Sequence, residues 1–298
     1  MTQTSLQRVS APSRRPAVVP PAGPTTYRHG RPVRRRRTPG VLGLVLSAVL
    51  AGWLAAHTEV LDVSGLLGDG PVAVARGTVS VVVLDGSGAE LTASGASDVH
   101  WTASLAKLFV VQQLLARDEA GTISLDDGDL ARMQRAVELS DDEAMNALWV
   151  EFGGAQLVTA AAAQFGLADT AAPERSGQWG ETTTTAADYA TFLSHLGGHL
   201  SAADTTTLTT WMRSTTPDAA DGFDQSFGLL SAQADTHGAV AAKQGWMCCL
   251  EGRRELHSTG VLTDGRVVVL LGEFPEGTSW AQAQAALTDT AEQVVEGP

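Results

Sequence analysis

The chain has 298 residues, 44% hydrophobic and 18% charged, which is enough to bury a sizeable core and is not the composition of a disordered protein. Its net charge of −13 is unevenly spread: residues 1–38 hold nine arginines and no acid, so eleven basic residues face all 33 acidic ones in the remainder. A body with a net charge of −22 repels phosphate backbones, which argues against nucleic acid as a partner of the folded part.

Residues 1–38, rich in Pro, Arg and Ser, lack the apolar side chains needed to fold and are expected to form a disordered basic tail. From Thr38 to Thr58 no Asp, Glu, Lys or Arg occurs, and the centre reads VLGLVLSAVLAGWLAA. That length is about enough for one helix across a bilayer, with the arginine cluster keeping the N-terminus cytoplasmic and exporting the rest. Residues 39–58 are therefore expected to be a transmembrane signal-anchor. The alternative is a cleaved signal peptide with a long basic leader, for which Ala55 and Ala56 supply small residues. No cysteine follows the apolar run, so a lipid-modified N-terminus is not indicated.

Residues 59–75 read as a tether, and the folded domain as 76–298. The β-branched run Thr78–Asp85 predicts a strand ending in the turn Gly86-Ser87-Gly88, and Glu90–Ser94 returns as a second. The pattern then becomes helical. Ser104–Arg117 is too apolar for a surface helix, and further helices are predicted over 127–138, 142–152, 155–165, 186–196 and 202–213. Strand signals resume at 240–248, 255–262 and 266–273, the last two joined by the hairpin turn Asp264-Gly265, before a final amphipathic helix over 278–295. Two strands, a block of helices, three strands and a helix make an α+β fold: a five-stranded antiparallel sheet flanked by helices, with an inserted all-helical subdomain. Cys248 and Cys249, the only cysteines, offer no disulfide framework and read as small core residues on opposite faces of a strand.

The chain contains only two lysines, Lys107 and Lys243, against 18 arginines. Arginine cannot serve as a base because it keeps its proton, whereas a buried lysine beside another cation can lose one. Lys107 stands three residues after Ser104, so on a helix the amine can reach the hydroxyl. Ser140-Asp141-Asp142 precedes a helix, where Ser and Asp are favoured caps. Lys243-Gln244-Gly245 lies on a predicted strand, where Gly permits close approach of a ligand to the backbone.

In this order the three segments resemble the S-x-x-K, S-D-N and K-T-G set of the class A β-lactamases and penicillin-binding proteins, the D,D-peptidases. The resemblance spans about residues 76–297 and includes the threonine-rich stretch Trp179–Ala186, similar to the family's exit from its omega-type loop. It implies a serine hydrolase working through an acyl-enzyme on D-Ala-D-Ala-like peptidoglycan peptides or β-lactams, held outside a bacterial cell membrane. By resemblance Ser104 is the nucleophile, Lys107 its base and Ser140 the proton shuttle. Lys243 would hold an anionic substrate group and depress Lys107. The backbone N–H groups of Ser104 and Trp246 would form an oxyanion hole, with Asp142, Gln244, Gly245 and Trp246 lining the substrate site.

Three departures stand out. Asp142 replaces an Asn and cannot donate a hydrogen bond when ionised; beside Lys107 it would raise that amine's pKa. Gln244 replaces a hydroxyl that helps hold a substrate carboxylate. No E-x-x-L-N segment occurs between Gly166 and Thr182, and Glu174, in the right region, sits in an unmatched context. A catalytically silent wall- or partner-binding protein on the same fold is therefore a second expectation, and a β-lactamase with another deacylating base a third. Arg253 and Arg254 are candidates for carboxylate recognition at the cleft mouth. No phosphate loop or cofactor motif occurs, and Gly197-Gly198 between His195 and His199 spoils the helical spacing of a metal pair, so neither cofactor nor metal is expected.

Overall fold

The computed structural model describes residues 70–231 and 240–296. The expected basic tail and the signal-anchor lie outside the described residues, among which no helix is long and apolar enough to cross a membrane.

The main sheet is built from β1 (Val72–Val74), β2 (Gly77–Leu84), β3 (Glu90–Ser94), β6 (Ala241–Leu250), β7 (Arg253–Val261) and β8 (Val267–Pro275), all pairs antiparallel. Its order is β1-β2-β8-β7-β6, with β3 also on β2. β1 and β3 share the outer side of β2, Val72 opposite Val79 and Ser94 opposite Val81. The five predicted strands are thus present, and β1 is an addition cut from the expected tether. A three-residue strand is too short for a period of two to register, and its hairpin turn places Arg76 at φ 69°. A separate ribbon pairs β4 (His100–Trp101) with β5 (Thr183–Thr184).

The central strands are buried on both faces, which explains their unbroken valine and leucine runs. Val79, Val81, Val83, Val268 and Leu270 face the C-terminal helix Trp280–Glu296 through Leu287 and Ala291. Val82, Val267, Val269 and Leu271 face the helical layer. At the centre of that layer runs α1 (Ala106–Glu119), whose residues 106–115 are all buried, as expected of a helix apolar on every side. Phe109 of α1 meets Phe192 edge-on at 4.6 Å and Tyr189 at 5.4 Å.

Around α1 lie α2 (Asp127–Glu138), α3 (Asp142–Phe152), α4 (Gly154–Phe165), α5 (Ala186–Ser194), α6 (Leu196–His199) and α7 (Ala202–Arg213). The ends of α2, α3 and α7 fall where predicted because Asp126, Asp141 and Ser201 cap them, each accepting from backbone N–H groups of the first turn. The helix predicted over 186–196 breaks at His195, the one residue between α5 and α6.

Beneath the β4 segment lies a buried polar group. His100 sits 2.9 Å from Ser80 Oγ and 3.4 Å from Glu255, and His257 Nε2 donates to the Trp101 carbonyl, 2.8 Å away. Burial pushes both rings down to about 4 and pushes the Glu255 carboxyl up to about 7. The imidazoles favour the fold above their ordinary value of 6.5 and lose that contribution as pH falls towards 4. Glu255, raised from 4.5, works in the opposite sense: its contribution is complete in acid and is lost as pH rises through about 7. Glu255→Gln should therefore gain thermal stability relative to the parent between pH 5 and pH 9. A difference in Tm that does not change with pH would contradict this.

Candidate active site

Ser104 lies in a 3-10 turn, Ala103–Leu105, that leads into α1 and starts from Ala103 at φ 47°. This turn is held from two sides. The Thr102 N–H donates to the Thr182 carbonyl (2.7 Å), and β4 pairs with β5, so the threonine-rich segment anchors the strand that presents Ser104. On the other side the turn packs against β6, where Gly245 leaves room: a Cβ there would stand 3.0 Å from the Thr102 carbonyl oxygen and 3.2 Å from Leu105.

One turn on, Lys107 Nζ lies 2.8 Å from Ser104 Oγ. The amine is fully buried and donates to the Ser140 carbonyl (2.6 Å) and to Asp142 Oδ1 (2.7 Å), with Ser140 Oγ at 3.3 Å. The side chain of Asp142, by contrast, is 64% exposed. Ser140 can aim both its oxygens inward because its backbone is left-handed (φ 50°), immediately before Asp141 caps α3. The carboxylate of Asp141 is also held by Arg135. From the opposite wall Lys243, also fully buried, donates to Ser140 Oγ (2.9 Å) and to the Gln244 carbonyl (2.8 Å). Ser140 Oγ therefore bridges two amines.

Burial holds Lys107 below the usual lysine range, while Asp142 pulls it partly back. Lys243 lies well below that range, through burial first and the nearby charge of Lys107 second. A hydroxyl within hydrogen-bond reach of a depressed amine, itself linked through a second hydroxyl to another amine, can act chemically as a nucleophile, a base and a proton relay.

Ser104 opens into a cleft of about 400 Å³ lined by Ala103, Asp142, Asn146, Trp246, Met247 and residues 177–180, Trp179 among them. Asn146, Trp179 and Met247 escaped the sequence reading. Asn146 stands four residues after Asp142 on the same helical face, a spacing that could have flagged it. Its amide oxygen accepts from the Trp179 indole N–H (2.8 Å), and the Trp179 ring lies 4.6 Å from Lys107 Nζ.

Several expectations are corrected. Gln244 does not line the Ser104 cleft: it is fully buried, and its amide donates to the carbonyls of Gln225 (3.2 Å) and Phe227 (2.6 Å) in the wall behind β6. Arg253 and Arg254 do not face the cleft. Arg253 pairs with Glu273 (2.7 Å) and Glu251 (3.1 Å) and lies over Trp101, while Arg254 lies over Trp280 and donates to the Thr278 carbonyl. Cys248 and Cys249 are not core residues; they are disulfide-bonded to each other where β6 bulges and runs out beyond the core, Cys248 exposed and Cys249 half-buried. Glu174 is exposed and lines a separate depression with Arg175 and Glu181, which pair with each other. Among the described residues Asp142 is the sole carboxylate lining the Ser104 cleft. Among the described residues one group, His100, Glu255 and Glu273, brings metal-ligand atoms within 4.8 Å of one another, but Glu273 is taken by Arg253 and Glu255 by the two rings.

The sheet, the helical insert and the Ser104 turn between them form the serine β-lactamase and penicillin-binding fold. A β-lactamase from Chitinophaga pinensis superposes with a TM-score of 0.62 at 17% identity, over 74% of this chain and 94% of that one. An ancestral class A β-lactamase, GNCA, gives 0.58 at 21% identity, over 74% and 94%. No known family's profile matches the chain. The chain belongs to the family of the Mycobacterium tuberculosis protein named "Putative lipoprotein LppW", to which it is 34% identical over 218 residues, 71% of this chain and 67% of the relative.

Proposed function

We propose that this protein is an extracytoplasmic, membrane-associated acyl-serine hydrolase acting on cell-wall-type peptides or β-lactam-like amides. The observation that carries the reading is the 2.8 Å contact between Lys107 Nζ and Ser104 Oγ inside a buried, depressed-amine pocket. In the first step neutral Lys107 takes the Ser104 proton as Oγ bonds to the acyl carbon. Ser140 Oγ then gives its proton to the leaving nitrogen as the C–N bond breaks and is reprotonated from the lysine pair. The N–H groups of Ser104 and Trp246 stabilise the oxyanion, a donor pair of which each member is worth about 3–4 kcal/mol of barrier. Water then hydrolyses the ester; with Asp142 the one carboxylate among the described residues that line the cleft and Glu174 outside it, this step is slow and a lasting acyl-enzyme is expected.

Membrane association is supported by the apolar segment 39–58 and by the naming of LppW as a lipoprotein.

A charge-neutral fluorophosphonate, which needs only an activated serine, tests the nucleophile. One adduct on the Ser104 peptide by mass spectrometry, absent from Ser104→Ala, is the expected result; labelling that survives the substitution, or no labelling, refutes it. The Asp142–Lys107 ion pair supports a second reading, a silent binder in which the amine stays protonated. That reading requires ligand binding in Ser104→Ala and no labelling of the parent at any pH up to 9.

A further inference from the structure

The charge of the cleft is reversed relative to what a carboxylate-bearing ligand needs. Every group from which an anion anchor was expected is turned away. Gln244 is consumed by the carbonyls of Gln225 and Phe227, Arg253 by Glu273 and Glu251, and Arg254 by Trp280 and backbone carbonyls. Lys243 is fully buried and held by Ser140 and its neighbour's carbonyl, and burial disfavours its charged form. Among the described residues no Lys, Arg or His lines the cleft.

One acidic group lines it instead, and a second stands beside its lining. The Asp142 side chain is 64% exposed and has only Oδ1 on Lys107, leaving its second oxygen to the cleft. Asp221, exposed and outside the cleft lining, accepts from the indole N–H of Trp246, which does line the cleft (3.3 Å), and its charge is close enough to Lys107 to raise that amine's pKa. Trp179 and Trp246 line the cleft with aromatic surfaces, which attract cations; Phe223 stacks on one face of Trp246 at 4.5 Å, fixing the ring in place.

We infer that the Ser104 cleft selects amine-bearing, cationic acyl compounds whose carboxyl groups are masked as amides or esters, and disfavours ligands with a free carboxylate. This rests on the cleft being the ligand site, as proposed above, but its charge preference can be measured without turnover. Three non-reactive peptide amides of equal length, ending in an ammonium, a neutral amide or a carboxylate, would be titrated into the Ser104→Ala chain by calorimetry at low and at 0.5 M salt.

The ammonium ligand should bind about tenfold more tightly than the carboxylate ligand, from one ion pair plus one cation–π contact, with the gap shrinking in salt. Asp142→Asn and, separately, Asp221→Asn in the same background should each narrow the gap. Equal or tighter binding of the carboxylate ligand overturns the inference, as does a gap unmoved by both substitutions or no binding of any of the three. Fluorophosphonate labelling of the parent decides the acyl-enzyme reading independently: labelling without the charge preference leaves the enzyme and removes its selectivity, and the converse result does the opposite.

Discussion

Lys107→Met should reduce the acylation rate at Ser104 by about 10²–10⁴-fold, the range for loss of a positioned general base. Methionine fills much of the buried volume without an amine, and the partner left behind, Asp142, is largely solvated, so no buried charge is stranded. Lys107→Arg supplies the control. It restores a cation beside Asp142 but cannot give up its proton, so it should be as slow as the methionine variant. Rescue by arginine would show that Lys107 acts as a structural charge and would sink the base assignment. The readout is the pseudo-first-order rate of fluorophosphonate labelling, with circular dichroism confirming the fold of each variant.

The largest effect on stability is expected at Phe109. Its ring is fully buried in α1 and packs edge-on against Phe192 and Tyr189, which tie the helix that follows Ser104 to α5. Phe109→Ala should cost about 3–5 kcal/mol through lost burial and an unfilled cavity. For a domain of this size that is a fall in Tm of about 6–20 °C. A loss below about 1 kcal/mol in urea titration would mean that the surrounding rings close the gap, contrary to the tight interdigitation seen here.

Much of this architecture is legible in the sequence because it is locally encoded. The ends of α2, α3 and α7 follow from Asp126, Asp141 and Ser201, each a capping residue set before an apolar period. The scarcity of lysine picked out Lys107 and Lys243, which lie 136 positions apart yet both reach the hydroxyl of Ser140. What local pattern cannot reveal is which way a side chain turns when its partners are remote. The fate of Gln244 is decided by two backbone carbonyls at 225 and 227, on a segment with no motif of its own. Trp179 belongs to a resembling stretch, but nothing in its neighbours indicates that its ring ends beside a lysine 72 positions earlier. Strand alternation likewise suggested two core cysteines, whereas β6 has already left the core when it reaches them.

The coordination of the Lys107 nitrogen carries a last implication. Two of its neighbours, the Ser140 carbonyl and Asp142 Oδ1, can only accept, whereas Ser104 Oγ can accept or donate. An ammonium satisfies all three with its three hydrogens; a free amine satisfies the first two and turns its lone pair towards the serine. The same fixed scaffold thus suits both states, and a proton can cross from oxygen to nitrogen without any heavy atom having to travel.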